Sequence, residues 1–250
     1  MRFLIAAPSS GSGKTTITLG LLRAFAQSGL SISGAKSGPD YIDPRFHEAA
    51  CGQPCYNLDA WAMSPERITS LAATGNLIVE GAMGLFDGAP PVGKGACADL
   101  ARILDLPVVL VVDAGRMAQS VAPIVQGFAS FDPTVKIAGV ILNNVGSPRH
   151  EVMLRDALAR IDIPVFGAVP RNSALNTPSR HLGLVQAQER PDLEAFLDLA
   201  AQTMQQNVDL AALSALGTDG PVANTTNPTA PAQRIAIAQD AAFAFAYPHL

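Results

Sequence analysis

The 250-residue chain has little charge, with 15% Asp, Glu, Lys and Arg, and few aromatic residues, at 6%. Hydrophobic residues make up 48%, enough for a sizeable core, which argues against disorder over most of the chain. A positive excess is also lacking. The formal net charge is −4, so non-specific binding to nucleic acid has no electrostatic basis. There is no long hydrophobic run. The longest, Leu106–Val112, contains Pro107 and has the length of a buried strand, so no membrane partner is expected. The start, Met1–Pro8, resembles a signal peptide for a few residues. Its apolar part is too short and enters a glycine-rich turn, so it reads as the first strand of a cytoplasmic protein. Cysteine is scarce: Cys51, Cys55 and Cys97 are an odd number, and Cys51-x-x-x-Cys55 lacks the second pair of a zinc site. They read as free thiols in a reducing compartment.

What is present is an alternation of strand and helix patterns. Strands are expected at Phe3–Ala7, Ile32–Lys36, Asn76–Glu80, Pro107–Val112, Lys136–Leu142 and Pro164–Val169. Most are β-branched and continuously apolar, as in strands covered on both faces. Helices are expected at Thr15–Gln27, from Ser64-Pro65-Glu66 onward, at Gln119–Ala129, at Glu151–Ile161 and, as one long element, at Asp192–Leu216. The βαβα order predicts an α/β fold, a doubly wound and mainly parallel sheet with its ligand at the carboxyl ends of the strands. Residues 217–233 are nearly devoid of apolar side chains and read as a linker. Residues 234–250 then open a new strand, Arg234–Asp240. We expect a first domain at 1–216 and the first strand of a second domain in a chain cut from a longer protein. An edge strand returning to the same sheet is the alternative.

The strongest local motif is Pro8-Ser9-Ser10-Gly11-Ser12-Gly13-Lys14-Thr15, with a strand before it and a helix after it. It fits G-x-x-x-x-G-K-[ST] except that Pro8 stands at the first glycine. Such a loop turns backbone N–H groups toward phosphate oxygens, and the helix behind it directs its positive end at them. Lys14 would reach the terminal phosphates of ATP, and the Thr15 hydroxyl would bind Mg2+. Serines occupy positions 9 and 10, where the chromosome-partitioning variant of the loop carries an additional lysine; this argues against that class.

Two acidic loops follow strand ends: Lys36-Ser37-Gly38-Pro39-Asp40-Tyr41-Ile42-Asp43-Pro44, with Asn57-Leu58-Asp59 beyond it, and Glu80-Gly81-Ala82-Met83-Gly84-Leu85-Phe86-Asp87-Gly88. Phosphoryl transfer needs carboxylates on Mg2+ and a cation near the transferred group. Glu80 and Asp113 close apolar strands and are candidate carboxylates; Lys36 is a candidate cation. Any single aspartate here could equally form a turn or cap a helix. Arg45, His47, Lys94, Arg116, Arg171, Arg180 and His181 are candidate partners for an anionic substrate, although each could be a solvated surface group. His150 and His249 read as surface residues.

Taken together, SGSGKTT at 10–16, KSGPDYIDPRFH at 36–47, YNLDAWAM at 56–63, VEGAMGLFDG at 79–88 and TPSRHLGLV at 177–185 resemble the cobyrinic (or hydrogenobyrinic) acid a,c-diamide synthases of cobalamin biosynthesis. That family is similar in its N-terminal half to dethiobiotin synthetase and adds a class I glutamine amidotransferase domain. The resemblance implies that ATP phosphorylates the c and a acetate carboxylates of the corrin ring. Ammonia from a C-terminal glutaminase domain, missing here, would displace phosphate to leave amides. It implies that Ser10, Gly11, Ser12, Gly13, Lys14, Thr15 and Thr16 hold the phosphates and that Asn143 and Pro170 flank the adenine. It places Mg2+ on Thr15, Asp59 and Glu80, and Lys36 at the γ-phosphate. Asp40, Tyr41, Ile42, Asp43 and Asp87 would form the acid site with Arg180 and His181; Lys14, Lys36, Asp40, Tyr41 and Asp87 would be the catalytic set. Pro8 departs from the family, standing where it carries glycine or a similar small residue.

The same logic follows from the chemistry. A carboxylate resists amines because oxide is a poor leaving group, and phosphorylation cures this. The rival readings are a Ni-sirohydrochlorin a,c-diamide synthase, a dethiobiotin synthetase-like enzyme acting alone, and a P-loop switch with no small-molecule substrate. Homodimers are common for this fold, so self-association is a further expectation.

Overall fold

The computed structural model describes residues 1–175, 179–180, 183–184, 186–217, 232–238, 240 and 243–249, with 179–180 and 183–184 as backbone only. Seven strands form one parallel sheet: β1 (Arg2–Ala6), β2 (Ile32–Ser37), β3 (Tyr56–Leu58), β4 (Asn76–Glu80), β5 (Val108–Asp113), β6 (Ile137–Val145) and β7 (Val165–Pro170). Their order is β3-β2-β4-β1-β5-β6-β7, and every pairing is parallel. β1 therefore sits in the middle, and the chain runs first to one side and then to the other. This puts a crevice beyond its carboxyl end.

Alternation along the strands fills both faces. Phe3 and Ile5 of β1 join Ile78, Val109, Val111 and Ile141 on one side; Leu4 and Ala6 join Val79, Val108, Leu110 and Leu142 on the other. The first side is covered by α1 (Lys14–Gln27), α2 (Asp43–Cys51) and, later in the chain, a helix at Leu193–Asn207. The second is covered by α4 (Cys97–Ile103), α5 (Val121–Phe131) and α6 (Pro148–Leu158), with α3 (Pro65–Leu71) contributing Ile68.

The six expected strands form, with ends shifted by a residue or a few. α2, β3 and α4 have no counterpart in the sequence reading: they are short, at 9, 3 and 7 residues, too brief to show a period. α3 starts as its Ser-Pro signal predicts, with the Ser64 hydroxyl accepting the Arg67 N–H at 3.3 Å. The same signal at Ser147-Pro148 starts α6 three residues earlier than the expected Glu151. The expected helix Asp192–Leu216 is two helices, α7 (Leu193–Asn207) and α8 (Leu210–Ser214). Between them the Asp209 N–H bonds the Phe166 carbonyl at 2.7 Å, and Val208 bridges Gly167, so edge pairing with β7 outcompetes helix continuation. α7 lies close on α1: a Cβ on Gly20 would meet the Ala200 carbonyl at 2.7 Å, and Arg23 pairs with Glu194 and Asp198.

Residues 234–238, expected as a strand, carry no strand pairing. A strand exists only through a neighbour's ladder of N–H and C=O groups, and no described strand lies beside this one. Most of the expected linker, 218–231, lies outside the described residues.

Candidate active site

The loop from Pro8 to Gly13 joins the central strand to α1, so the fold places it at the crevice. Gly13 has φ +91°, and a Cβ there would lie 2.1 Å from Asn143 Nδ2, so only glycine fits between the turn and β6. Asn143 Nδ2 itself donates to the Ser12 carbonyl at 2.9 Å. The loop beyond β4 closes over this turn. Gly84 passes so near Pro8 that a Cβ would meet its carbonyl at 2.7 Å, and the Leu85 N–H bonds the Ala7 carbonyl.

Lys14 is 7% exposed, yet among the described residues its ammonium has no carboxylate in direct contact. Nζ donates to the Met83 carbonyl at 2.6 Å and, more weakly, to Ser9 at 3.4 Å. Burial first, then the charge of Lys36, pull its pKa below the ordinary lysine value. A buried cation bonded only to carbonyls is a site that an anion would relieve, so the donor set fits a phosphate. Met83 holds the carbonyl there with φ +50°, an uncommon backbone state for a side-chain-bearing residue.

Beside it lies a buried network. Lys36 Nζ touches Glu80 Oε1 at 2.8 Å and Asp43 Oδ2 at 2.5 Å, and His47 Nε2 lies 2.7 Å from Glu80 Oε2. The Thr15 hydroxyl donates to Glu80 Oε1 at 2.5 Å. Parallel pairing of β2 with β4 creates this contact, because Lys36 and Glu80 are register partners. Burial opposes the charge on Glu80, but Lys36 and His47 outweigh it and hold the carboxyl well below the usual range. Burial likewise opposes the charge on Lys36, which Glu80 and Asp43 hold above the ordinary lysine value. Burial and then the Glu80 charge push Asp43 up to about 6.

A cleft of about 460 Å³ gathers Ser10, Gly11, Gly13, Lys14, Thr15 and Thr16 on one wall. Lys36, Glu80 and Met83 lie on its floor, and Asn143, Asn144, Pro170, Asn172 and Leu175 on the far side. Of the expected nucleotide residues only Ser12 is absent from the lining; it is buried and its hydroxyl donates to the Ser9 carbonyl. Hard oxygen ligands for a divalent cation are present in Thr15 and Glu80. Asp59 follows β3, two strands from β4, and its Oδ1 accepts the N–H groups of Trp61 and Ala62.

The expected acid-site residues divide. A second groove is lined by Ser37, Asp40, Tyr41, Ile42, Ala82 and Phe245, and it shares Ala82 with the lining of the first cleft. Asp40 Oδ1 accepts the N–H groups of Ile42 and Asp43, and Asn57 Nδ2 pins the loop through the Gly38 and Asp40 carbonyls. Asp43 is turned inward against Lys36 and lines neither cavity. Asp87 is exposed, with Oδ2 accepting the Gly84 N–H at 2.9 Å. His181 and the side chain of Arg180 lie outside the described residues. Of the other candidate cations, His47 is fully buried on Glu80, Arg45 pairs with Glu48, and Arg171 donates to the Gly115 carbonyl. Asp113 closes a turn through Gly115 and Asn144 and does not line the cleft. His249, expected at the surface, is buried among aromatic residues.

The sequence reading missed the network role of His47, the carbonyl of Met83, and the lining residues Asn144 and Asn172. None carries a local signal, since each is recruited by strand pairing or loop path. The three thiols are free; Cys51 and Cys55 face each other at 3.6 Å.

A family model described as CbiA, the CobQ/CobB/MinD/ParA nucleotide binding domain, matches residues 3–185. Hydrogenobyrinate a,c-diamide synthase of Brucella anthropi is 55% identical over 258 residues, covering 99% of this chain. The protein of the same name from Rhizobium meliloti is 56% identical over 255 residues. The chain spans 59% of the length of each of these relatives. Among solved structures, the cell division protein FtsY of Thermotoga maritima superposes with a TM-score of 0.49 at 16% identity, covering 80% of this chain and 68% of that one.

Proposed function

The chain belongs to the CobQ/CobB/MinD/ParA nucleotide-binding domain family, and from that membership we propose that it is the carboxylate-activating part of a hydrogenobyrinate or cobyrinate a,c-diamide synthase. The observation that carries this reading is that two cavities share Ala82 in their walls, one lined by the phosphate-type loop and the other by Asp40–Ile42. A nucleotide in the first would present its terminal phosphate to a carboxylate arm reaching past Ala82 from a substrate whose body lies in the second.

In this reading ATP phosphorylates an acetate carboxylate of the ring. The acyl C–O bond then breaks as ammonia attacks, phosphate leaves, and an amide remains. Lys14 neutralises the phosphate oxygens from within the loop, and Lys36 supplies positive charge at the cleft floor. Thr15 and Glu80, which line the cleft, would hold Mg2+, which screens phosphate charge when bound, and Asp59, two strands from Glu80 and outside the cleft lining, would have to reach it from there. Asn143 and Pro170 would flank the base. Ammonia would come from a glutaminase domain of the kind the motifs of this family imply, beginning near residue 234. Free cysteines and a need for ATP fit a cytoplasmic location. Among the described residues no helix is long and apolar enough to cross a membrane.

The reading is tested by ADP release. Turnover by this chain should rise when hydrogenobyrinic acid and an ammonium salt are added, and glutamine should not replace ammonium. ATP turnover indifferent to the acid would refute the reading, and glutamine-dependent amidation would refute the division of labour between domains.

Asp40→Asn and Asp87→Asn isolate the acid site. Each amide keeps an oxygen for the backbone N–H groups that the aspartate now holds, and removes only the charge. We expect ATP affinity to be retained and amidation to fall on the order of a hundredfold through lost positioning. Wild-type amidation rates in both variants would remove these residues from the acid site.

A further inference from the structure

Residues 243–249 return to the carboxyl edge of the sheet, about two hundred residues from the loop they meet. The Tyr247 hydroxyl donates to the Pro39 carbonyl at 3.1 Å, and its ring stacks on Tyr41 with centroids 4.4 Å apart and planes 19° apart. Phe245 stacks on the same tyrosine at 5.3 Å and 20°. His249 packs edge-on to Tyr56, and its carbonyl accepts from Arg67. The tail is thus fastened at several points to the loop that bears Asp40, Tyr41 and Ile42.

Phe245 is nevertheless 58% exposed and Tyr41 38%, so both rings keep apolar surface facing the groove of about 440 Å³ beside them. An ordered aromatic stack that leaves its surface wet suits a ligand that will cover it. The groove's chemistry narrows the ligand. Its described lining contains no lysine, arginine or histidine, so it is unsuited to carboxylates. It suits a flat, delocalised, uncharged face, and the acid arms of such a ligand would extend past Ala82 into the cleft that holds Lys14 and Lys36.

We propose that Phe245, backed by Tyr41 and Tyr247, is a specificity-determining wall of the acid pocket, against which the flat macrocycle of the tetrapyrrole stacks. The proposal rests on the function given above. It means that residues beyond the linker complete the substrate site of the first domain.

The test is calorimetric and kinetic, on the 250-residue chain. Phe245→Ala should weaken binding of hydrogenobyrinic acid by about tenfold and raise its KM in proportion, the loss of one stacking surface. The KM for ATP should stay at the wild-type value. Phe245→Trp should restore acid binding, and Tyr247→Phe, which keeps the ring but cuts the tie to Pro39, should weaken it less than Phe245→Ala does. Wild-type acid affinity in Phe245→Ala, in a chain that binds the acid, overturns the wall and leaves the function standing. Parallel loss of ATP affinity also overturns it, because it marks a general structural role. Failure of the unaltered chain to bind the acid overturns both.

Discussion

Lys14→Ala is expected to weaken nucleotide binding on the order of a hundredfold or more while leaving the fold at least as stable as before. The two effects separate because of what Lys14 touches. Its ammonium is buried against the carbonyls of Met83 and Ser9, with no carboxylate in direct contact among the described residues, and burial and Lys36 lower its pKa by more than Glu80 and Asp87 raise it. Removing it relieves an unfavourable desolvation and repulsion in the free protein. With ATP present the balance reverses, because charge-assisted bonds to phosphate oxygens contribute about 1.5–3 kcal/mol each. Losing about 3–4 kcal/mol raises the Kd on the order of 10²–10³-fold. Thermal melts with and without ATP check both halves: the ATP-induced rise in Tm should vanish while the ligand-free Tm holds. An unchanged ATP shift would remove Lys14 from the nucleotide site.

Lys36→Met should do the opposite and damage the fold itself. Lys36 is the shared cation of two buried carboxylates, Asp43 at 2.5 Å and Glu80 at 2.8 Å. Methionine nearly matches the side chain in volume, so packing is largely kept and the charge alone is lost. Breaking one partner out of such a buried cluster costs about 3–5 kcal/mol, or roughly 10 °C in Tm for a domain of this size. The loss should depend on pH. Without the cation Asp43, which already reaches about 6 with it in place, is raised further above its unfolded value, and Glu80 loses the larger of the two charges that hold it low. A raised carboxyl gives the folded state its advantage when protonated, and that advantage is lost as pH rises through the folded pKa. The stability gap between variant and parent should therefore be wide at pH 8 and narrow below about pH 6. Urea melts at both values check this; an equal gap would show that the network is not electrostatically coupled.

Sequence patterns revealed the framework unevenly, for physical reasons. Continuous apolar runs such as Val108–Val112 mark strands buried on both faces, and Ser64-Pro65 marks a helix start, because in each the local residues fix the local structure. The phosphate-type loop was legible for the same reason. The network Thr15–Lys36–Asp43–His47–Glu80 was not, because it depends on β2 pairing with β4 across a separation of more than forty residues. Asp43 shows the difference sharply. It lies inside the GPDYIDP stretch and was expected in the acid site, yet the first turn of α2 directs it inward onto Lys36. Asp40 and Tyr41, three and two residues earlier, do line the groove. The contact between Tyr41 and the aromatic tail has no local signature at all, and Phe245 enters the site only through the path of the chain.

The family match ends at residue 185, but the packing does not end there. α7, wholly beyond that boundary, covers the outer face of α1, the helix whose amino end forms the phosphate-type loop, and Gly20 leaves room for nothing between them. A recombinant fragment trimmed to the matched stretch would bare a hydrophobic flank and lose the ion pairs of Arg23, and would be expected to precipitate or melt early. The smallest piece of this chain that can be excised and still fold is accordingly set by a helix whose own sequence carries no nucleotide-binding motif.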